Sequence, residues 1–192
     1  MENTKQQILE NSIELFKLWG YENTSINMIC DACGITKKSF YYHYASKDDL
    51  ILEYYDAKSS NVLNIMPEIM RLDSYRERIW RLSEFYIDAS EWLGADLLRA
   101  LFVTDSKNGL KTFAPDISGT GGDLSMVFKM NIEYAKLAQE SGELNRNADG
   151  ETMVWLFNTA LIGVIIDWAS KNGSYDIYES ARRAFDAVFL AG

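Results

Sequence analysis

The sequence predicts an all-α protein. Apolar residues recur at helical spacing along most of the chain, glycines and capping residues punctuate those runs, and no stretch sustains the period-two alternation of a half-buried strand. With 192 residues, 47% hydrophobic and 24% charged, the chain can bury a sizeable core, and two prolines leave no low-complexity segment.

The elements follow in order. Ile8, Ser12, Leu15, Phe16 and Trp19 mark one face of a first helix over about residues 4–19, which Gly20 stops. Thr24 or Asn23 caps a second helix with inner face Ile26, Ile29, Cys30 and Cys33, and Gly34 ends it. Thr36 caps a short helix over about residues 37–43, and Ser46 with Asp49 opens a further one as a capping box, running to about residue 65 near Pro67. Two short helices joined by a tight Gly34 turn make a helix-turn-helix. Later helices are expected over about residues 75–93, 96–106, 123–139, 148–170 and 174–190, with a loop over about residues 109–122. The division is a three-helix helix-turn-helix domain over residues 1–48 and a second, helical domain over residues 49–192.

Met153 to Trp168 is apolar nearly all round, so it needs cover on both sides. One face suits the subunit core and the other a second subunit, with Trp155, Ile162, Gly163 and Ile166 joined by Tyr178, Ala181, Phe185 and Val188 of the last helix in a two-fold homodimer. The longest strongly apolar run, residues 153–166, is shorter than a membrane span and holds Asn158 and Thr159, and the first residues lack the layout of a signal peptide. A cytoplasmic protein without membrane contact is expected.

Cys30 and Cys33 form a C-x-x-C pair near His43, the only histidine. A redox pair would open a helix after a strand, and a structural zinc wants a fourth ligand, so both cysteines read as packing residues, with no metal and no cofactor. Residues 118–122, SGTGG, lack the Lys-Ser/Thr of a phosphate loop, and the lone His43 supports no catalytic triad. The chain is therefore not read as an enzyme. Its net charge of −9 argues against a polyanion partner, but residues 1–48 carry five Lys against six Asp or Glu, and residues 36–47 hold three lysines and no acid.

The stretch TKKSFYYHYASK, residues 36–47, suits major-groove docking, with Phe40 and Tyr44 facing inward and Lys37, Lys38, Ser39, Tyr41, Tyr42 and His43 on or near the surface. The spacing ILxxSxxLFxxxGYxxTSIxxI over residues 8–29, followed by CGITKKSFYYHYASKDDLI, resembles the DNA-binding domain of the TetR family (TetR/AcrR type) of one-component transcriptional regulators. The resemblance implies phosphate contacts from Thr24 or Ser25 and from Tyr41, His43 and Lys47. It implies base contacts from Lys37, Lys38, Ser39 and Tyr42, with Thr36 on the same face; Lys38 departs from the small residue usual there. It further implies a homodimeric repressor on a palindromic DNA operator, released by a small-molecule effector. Trp80, Phe85, Tyr86, Trp92, Phe102, Phe113, Phe128, Trp155 and Phe157 offer an aromatic lining for that effector, and Asp96, Asn131 or Asn158 could orient it. The acidic balance motivates an alternative: a scaffold dimer whose helix-turn-helix no longer binds DNA.

Overall fold

The computed structural model describes residues 2–59, 62–107, 109, 123–144 and 147–189. Among these the chain forms ten helices and no strand: α1 Glu2–Trp19, α2 Ile26–Cys33, α3 Lys37–His43, α4 Lys47–Ser59, α5 Val62–Ile69, α6 Tyr75–Leu93, α7 Ala95–Lys107, α8 Asp123–Ser141, α9 Gly150–Ser170 and α10 Ile177–Phe189. The expected helix over residues 46–65 is two helices, α4 and α5, and Pro67 lies inside α5.

A head of α1–α3 is joined to a body of α5–α10 by α4, which packs on α1 in the head and on α6 and α7 in the body. The boundary expected at residues 48 and 49 thus falls within α4. In α1 the inner face is Ile8, Leu9, Ser12, Ile13 and Phe16; Trp19, expected on it, is 56% exposed because the last turn of α1 overhangs the core. The reciprocal Ser46–Asp49 box starts α4, with each backbone N–H donating to the other's side-chain oxygen at 3.0 and 3.3 Å.

In the body, α9 is in contact with α7, α8 and α10, and α6 with α8 and α10. The helix α9 is long and apolar enough to cross a membrane by length and composition alone. It buries Met153, Val154, Phe157, Leu161, Ile165 and Trp168 within this chain, as a core helix does. One main hydrophobic cluster runs through head and body, and a smaller one, Val62, Ile69, Leu82, Phe85 and Val127, lies where α5, α6 and α8 meet. Glu143, just after α8, clamps the start of α6: Ser74 Oγ donates to it at 2.6 Å and the N–H groups of Tyr75 and Arg76 at 3.2 Å. Burial opposes its charge, yet the donors from Ser74, Arg76, Tyr75 and Ser141 hold its carboxyl below the usual carboxylate value.

Candidate nucleic-acid interface and effector region

The recognition surface is assembled by local rules. Ser25, not Thr24 or Asn23, caps α2, its Oγ accepting the Met28 N–H at 3.3 Å. Gly34 closes α2 at φ 64°, and the Ile35 N–H reaches back to the Cys30 carbonyl at 3.0 Å. A Cβ on Gly34 would meet nothing within 4 Å, so the left-handed backbone, not space, selects glycine here. Thr36 then caps α3, its Oγ1 accepting the Ser39 N–H at 3.2 Å. Phe40 is the buried residue of α3, with Tyr44 buried just beyond, and their rings lie 6.1 Å apart. That anchorage turns the remaining side chains outward: Tyr42 is 71% and Tyr41 53% exposed, Lys37 and Lys38 are exposed, and Ser39 and His43 are half-buried. Ser25 and Thr36 are exposed beside them.

Two expected phosphate contacts are placed differently. Thr24 is buried, its hydroxyl donating to the Gly20 carbonyl at 2.8 Å, so of the pair only Ser25 presents a side chain to solvent. Lys47 turns its ammonium onto the carbonyls of Tyr21 and Thr24 at 2.7 and 3.2 Å and over the Tyr21 ring at 4.2 Å. One N–H of three is left for a phosphate.

The cysteines are free thiols on the inner side of α2. Asn11 Nδ2 donates to Cys33 Sγ at 3.5 Å, and burial pushes both thiols above their ordinary pKa.

Head and body are tied through Tyr21. Its hydroxyl donates to Asp48, its N–H to Asp96 Oδ2 at 3.2 Å, and Lys107 stands 3.9 Å from Asp48. Burial first, and then the Asp48 hydrogen bond, raise the phenol pKa well beyond the usual range. The start of α7 therefore reaches the head, and its end reaches the first turn of α4. Sequence reasoning missed this junction because its partners lie 27 and 75 residues from Tyr21.

Residues 8–54 match the model of the tetR family of bacterial regulatory proteins. The match spans α1 to α4, the head and most of the connecting helix. Over 190 residues it is 22% identical to the "Probable acrEF/envCD operon repressor" of Escherichia coli (strain K12), covering 96% of this chain and 84% of the relative. The TetR family transcriptional regulator PfmR from Thermus thermophilus shares the fold, with TM-score 0.64 at 20% identity over 95% of this chain and 97% of that one. So does the transcriptional regulator FadR from Bacillus subtilis, solved in complex with stearoyl-CoA, with TM-score 0.58 at 13% identity over 96% of this chain and 97% of that one.

The residues expected to line an effector pocket do not converge on one site. Trp80 packs edge-on against Phe185 at 5.3 Å, Phe157 is in the same cluster, and Trp92 stacks on Tyr54 at 4.4 Å beside the head. Asp96 serves the junction, and Phe102 lines a shallow apolar groove of about 250 Å³ between α7 and α9. Phe113 lies outside the described residues. Phe85, Tyr86, Phe128 and Asn131 lie on the facing helices α6 and α8; Trp155, 49% exposed, lines a cleft of about 210 Å³ with Phe128, and Asn158 is half-buried on α9.

The expected dimer residues also divide. Gly163 and Trp155 are exposed, and Ile162, Ile166 and Val188 half-buried, with Leu156 and Thr159 on the same outward side of α9. Ala181 and Phe185 are a correction: both are fully buried in the protomer's own core, and Tyr178 hydrogen-bonds Asp88 of its own chain. The outward side of α10 is instead Ser180, Arg183, Ala184 and Ala187. Their spacing opposite Ile177, Ala181 and Phe185 was the available signal.

Proposed function

We propose that this regulator is a homodimeric repressor whose two α3 helices dock in successive major grooves of a palindromic operator, and that a small molecule entering the body releases it. One observation carries the reading: with Phe40 buried as the anchor of α3, Lys37, Lys38, Tyr41 and Tyr42 are exposed on a helix without acidic residues. Lys37, Lys38, Ser39 and Tyr42 meet base edges; Ser25, Tyr41, His43 and the remaining N–H of Lys47 meet phosphates. Regulation by binding, without catalysis, is what such a surface does, and a role on DNA implies the cytoplasm.

The dimer forms through the outward sides of α9 and α10. Gly163 supports this: a glycine inside a helix costs about 1 kcal/mol relative to alanine, and a Cβ there would meet nothing within 4 Å in the protomer. The missing side chain is useful only to an approaching second helix. A two-fold axis along this face then sets the spacing of the two heads.

The effector enters where α5, α6 and α8 meet, and changes the head spacing through α4 and α7, which touch both parts. Occupation releases DNA only if the ligand binds the non-DNA spacing more tightly. That the fold neighbour FadR holds an acyl-CoA supports a body open to ligands with an apolar portion.

A mobility-shift assay on the duplex beside the protein's own gene tests the reading. The expected result is a salt-sensitive shift, lost on Gly163→Trp and weakened by Lys37→Ala. No salt-sensitive binding to any fragment supports the scaffold alternative instead.

A further inference from the structure

Two side-chain atoms are buried without a hydrogen-bond partner among the described residues: Arg76 Nε and Asn131 Oδ1. They are not equivalent. The Arg76 guanidinium still pairs with Asp186 at 2.7 Å, so its charge is met. Asn131 is 6% exposed, and no donor among the described residues reaches its carbonyl oxygen. An amide oxygen buried in this way is a standing cost that any arriving donor removes.

The surroundings say what kind of molecule brings that donor. Asn131 stands on α8 between Val127 and Tyr134, which pack in the smaller hydrophobic cluster, and Phe128 and Ala135, which belong to the main one. It therefore marks the seam between the two cores. The fringe of the smaller cluster includes Met66, Met126 and Met130, unbranched side chains that re-pack around irregular apolar shapes at low cost. Tyr86 and Tyr134 touch both clusters, and burial raises the Tyr86 phenol pKa. The residues just named are uncharged, and the Arg78 guanidinium that lies 5.6 Å over the Tyr134 ring is already engaged by the Tyr75 ring and the Leu72 carbonyl, so the seam favours a neutral guest.

We infer that the effector is a predominantly apolar, uncharged molecule that inserts at this seam and donates one hydrogen bond, from a hydroxyl or an N–H, to Asn131 Oδ1. This rests on the effector site proposed above and adds its chemical class. The guest parts the satellite cluster of α5, α6 and α8 from the main core while ending the isolation of the amide oxygen.

The test uses two isomeric probes of equal atom count, 1-decanol and methyl nonyl ether, titrated calorimetrically into the full-length protein. The alcohol donates a hydrogen bond and the ether cannot. Wild type is expected to bind the alcohol about tenfold more tightly, the worth of one buried hydrogen bond, and Asn131→Leu is expected to bind both equally. The same variant, freed of the orphan oxygen, is expected to melt about 2–4 °C higher. Equal binding of the two probes by wild type, as a fixed water on Asn131 would produce, overturns the inference, and so does binding of neither. Either failure is separable from failure of the regulator reading, which is decided by operator binding without any probe.

Discussion

The helices α3 and α9 each leave one side uncovered, and the two uncovered sides are opposites. Helix α3 is short, is held by the buried Phe40, and shows solvent lysines, tyrosines and hydroxyls. Helix α9 has 21 residues and is buried along Met153, Phe157, Leu161 and Ile165, yet its outer side is Trp155, Leu156, Thr159 and Gly163. Free donors and cations suit a hydrated polyanion; a small and apolar stripe suits a copy of itself. An acidic protein can bind DNA because the sign of charge that matters is local, and here residues 36–47 contain no acid.

The comparison breaks hardest at the anchor. Replacing Phe40 by Ala removes a fully buried ring and is expected to cost about 3–5 kcal/mol, read as loss of the head in chemical denaturation and of DNA binding. If DNA binding survived with unchanged stability, α3 would not depend on its buried side. On α9, Gly163→Trp is expected to leave the helix content intact and to weaken dimerisation by about a hundredfold, ~2.8 kcal/mol, measured by sedimentation. An unchanged dimer would move the interface elsewhere.

The smallest expected effect concerns the clamp on α6. Glu143 has its folded pKa depressed, so its contribution is present above the ordinary carboxylate value of 4.5 and fades as pH falls through the lower folded value. Thermal melts of wild type are expected to lose stability on acidification below that value more steeply than those of Glu143→Gln. Parallel pH profiles would remove the clamp from the account.

What the sequence made legible followed from local chemistry. Gly34, Thr36, the Ser46–Asp49 pair and Gly94 set helix ends through contacts within a few residues, and the inward pair Phe40 and Tyr44 follows from spacing alone. The misplacements share one cause: sequence shows that a helix has an apolar face but not which neighbour covers it. Ala181 and Phe185 therefore read as dimer residues although Phe157 and Trp80 of the same chain cover Phe185. Trp19 continues the face of α1 past the point where the core ends. The aromatic residues proposed as one pocket are spread over α6 to α9 because aromatic content marks burial, not convergence. Lys47 shows the same limit, since the carbonyls it holds are 23 and 26 residues away.

The central claim, that the outward face of α3 meets DNA, is tested most directly by the salt dependence of binding to an operator duplex for wild type and Lys37→Ala. The account predicts that log K falls linearly with log salt and that the variant binds more weakly and discriminates less between operator and scrambled duplex. Lys38→Ala, measured alongside, separates base from phosphate contact: a phosphate role makes the slope shallower by about 0.9, and a base role relaxes sequence preference with the slope unchanged. Binding by Lys37→Ala with wild-type affinity, slope and sequence preference would contradict the account.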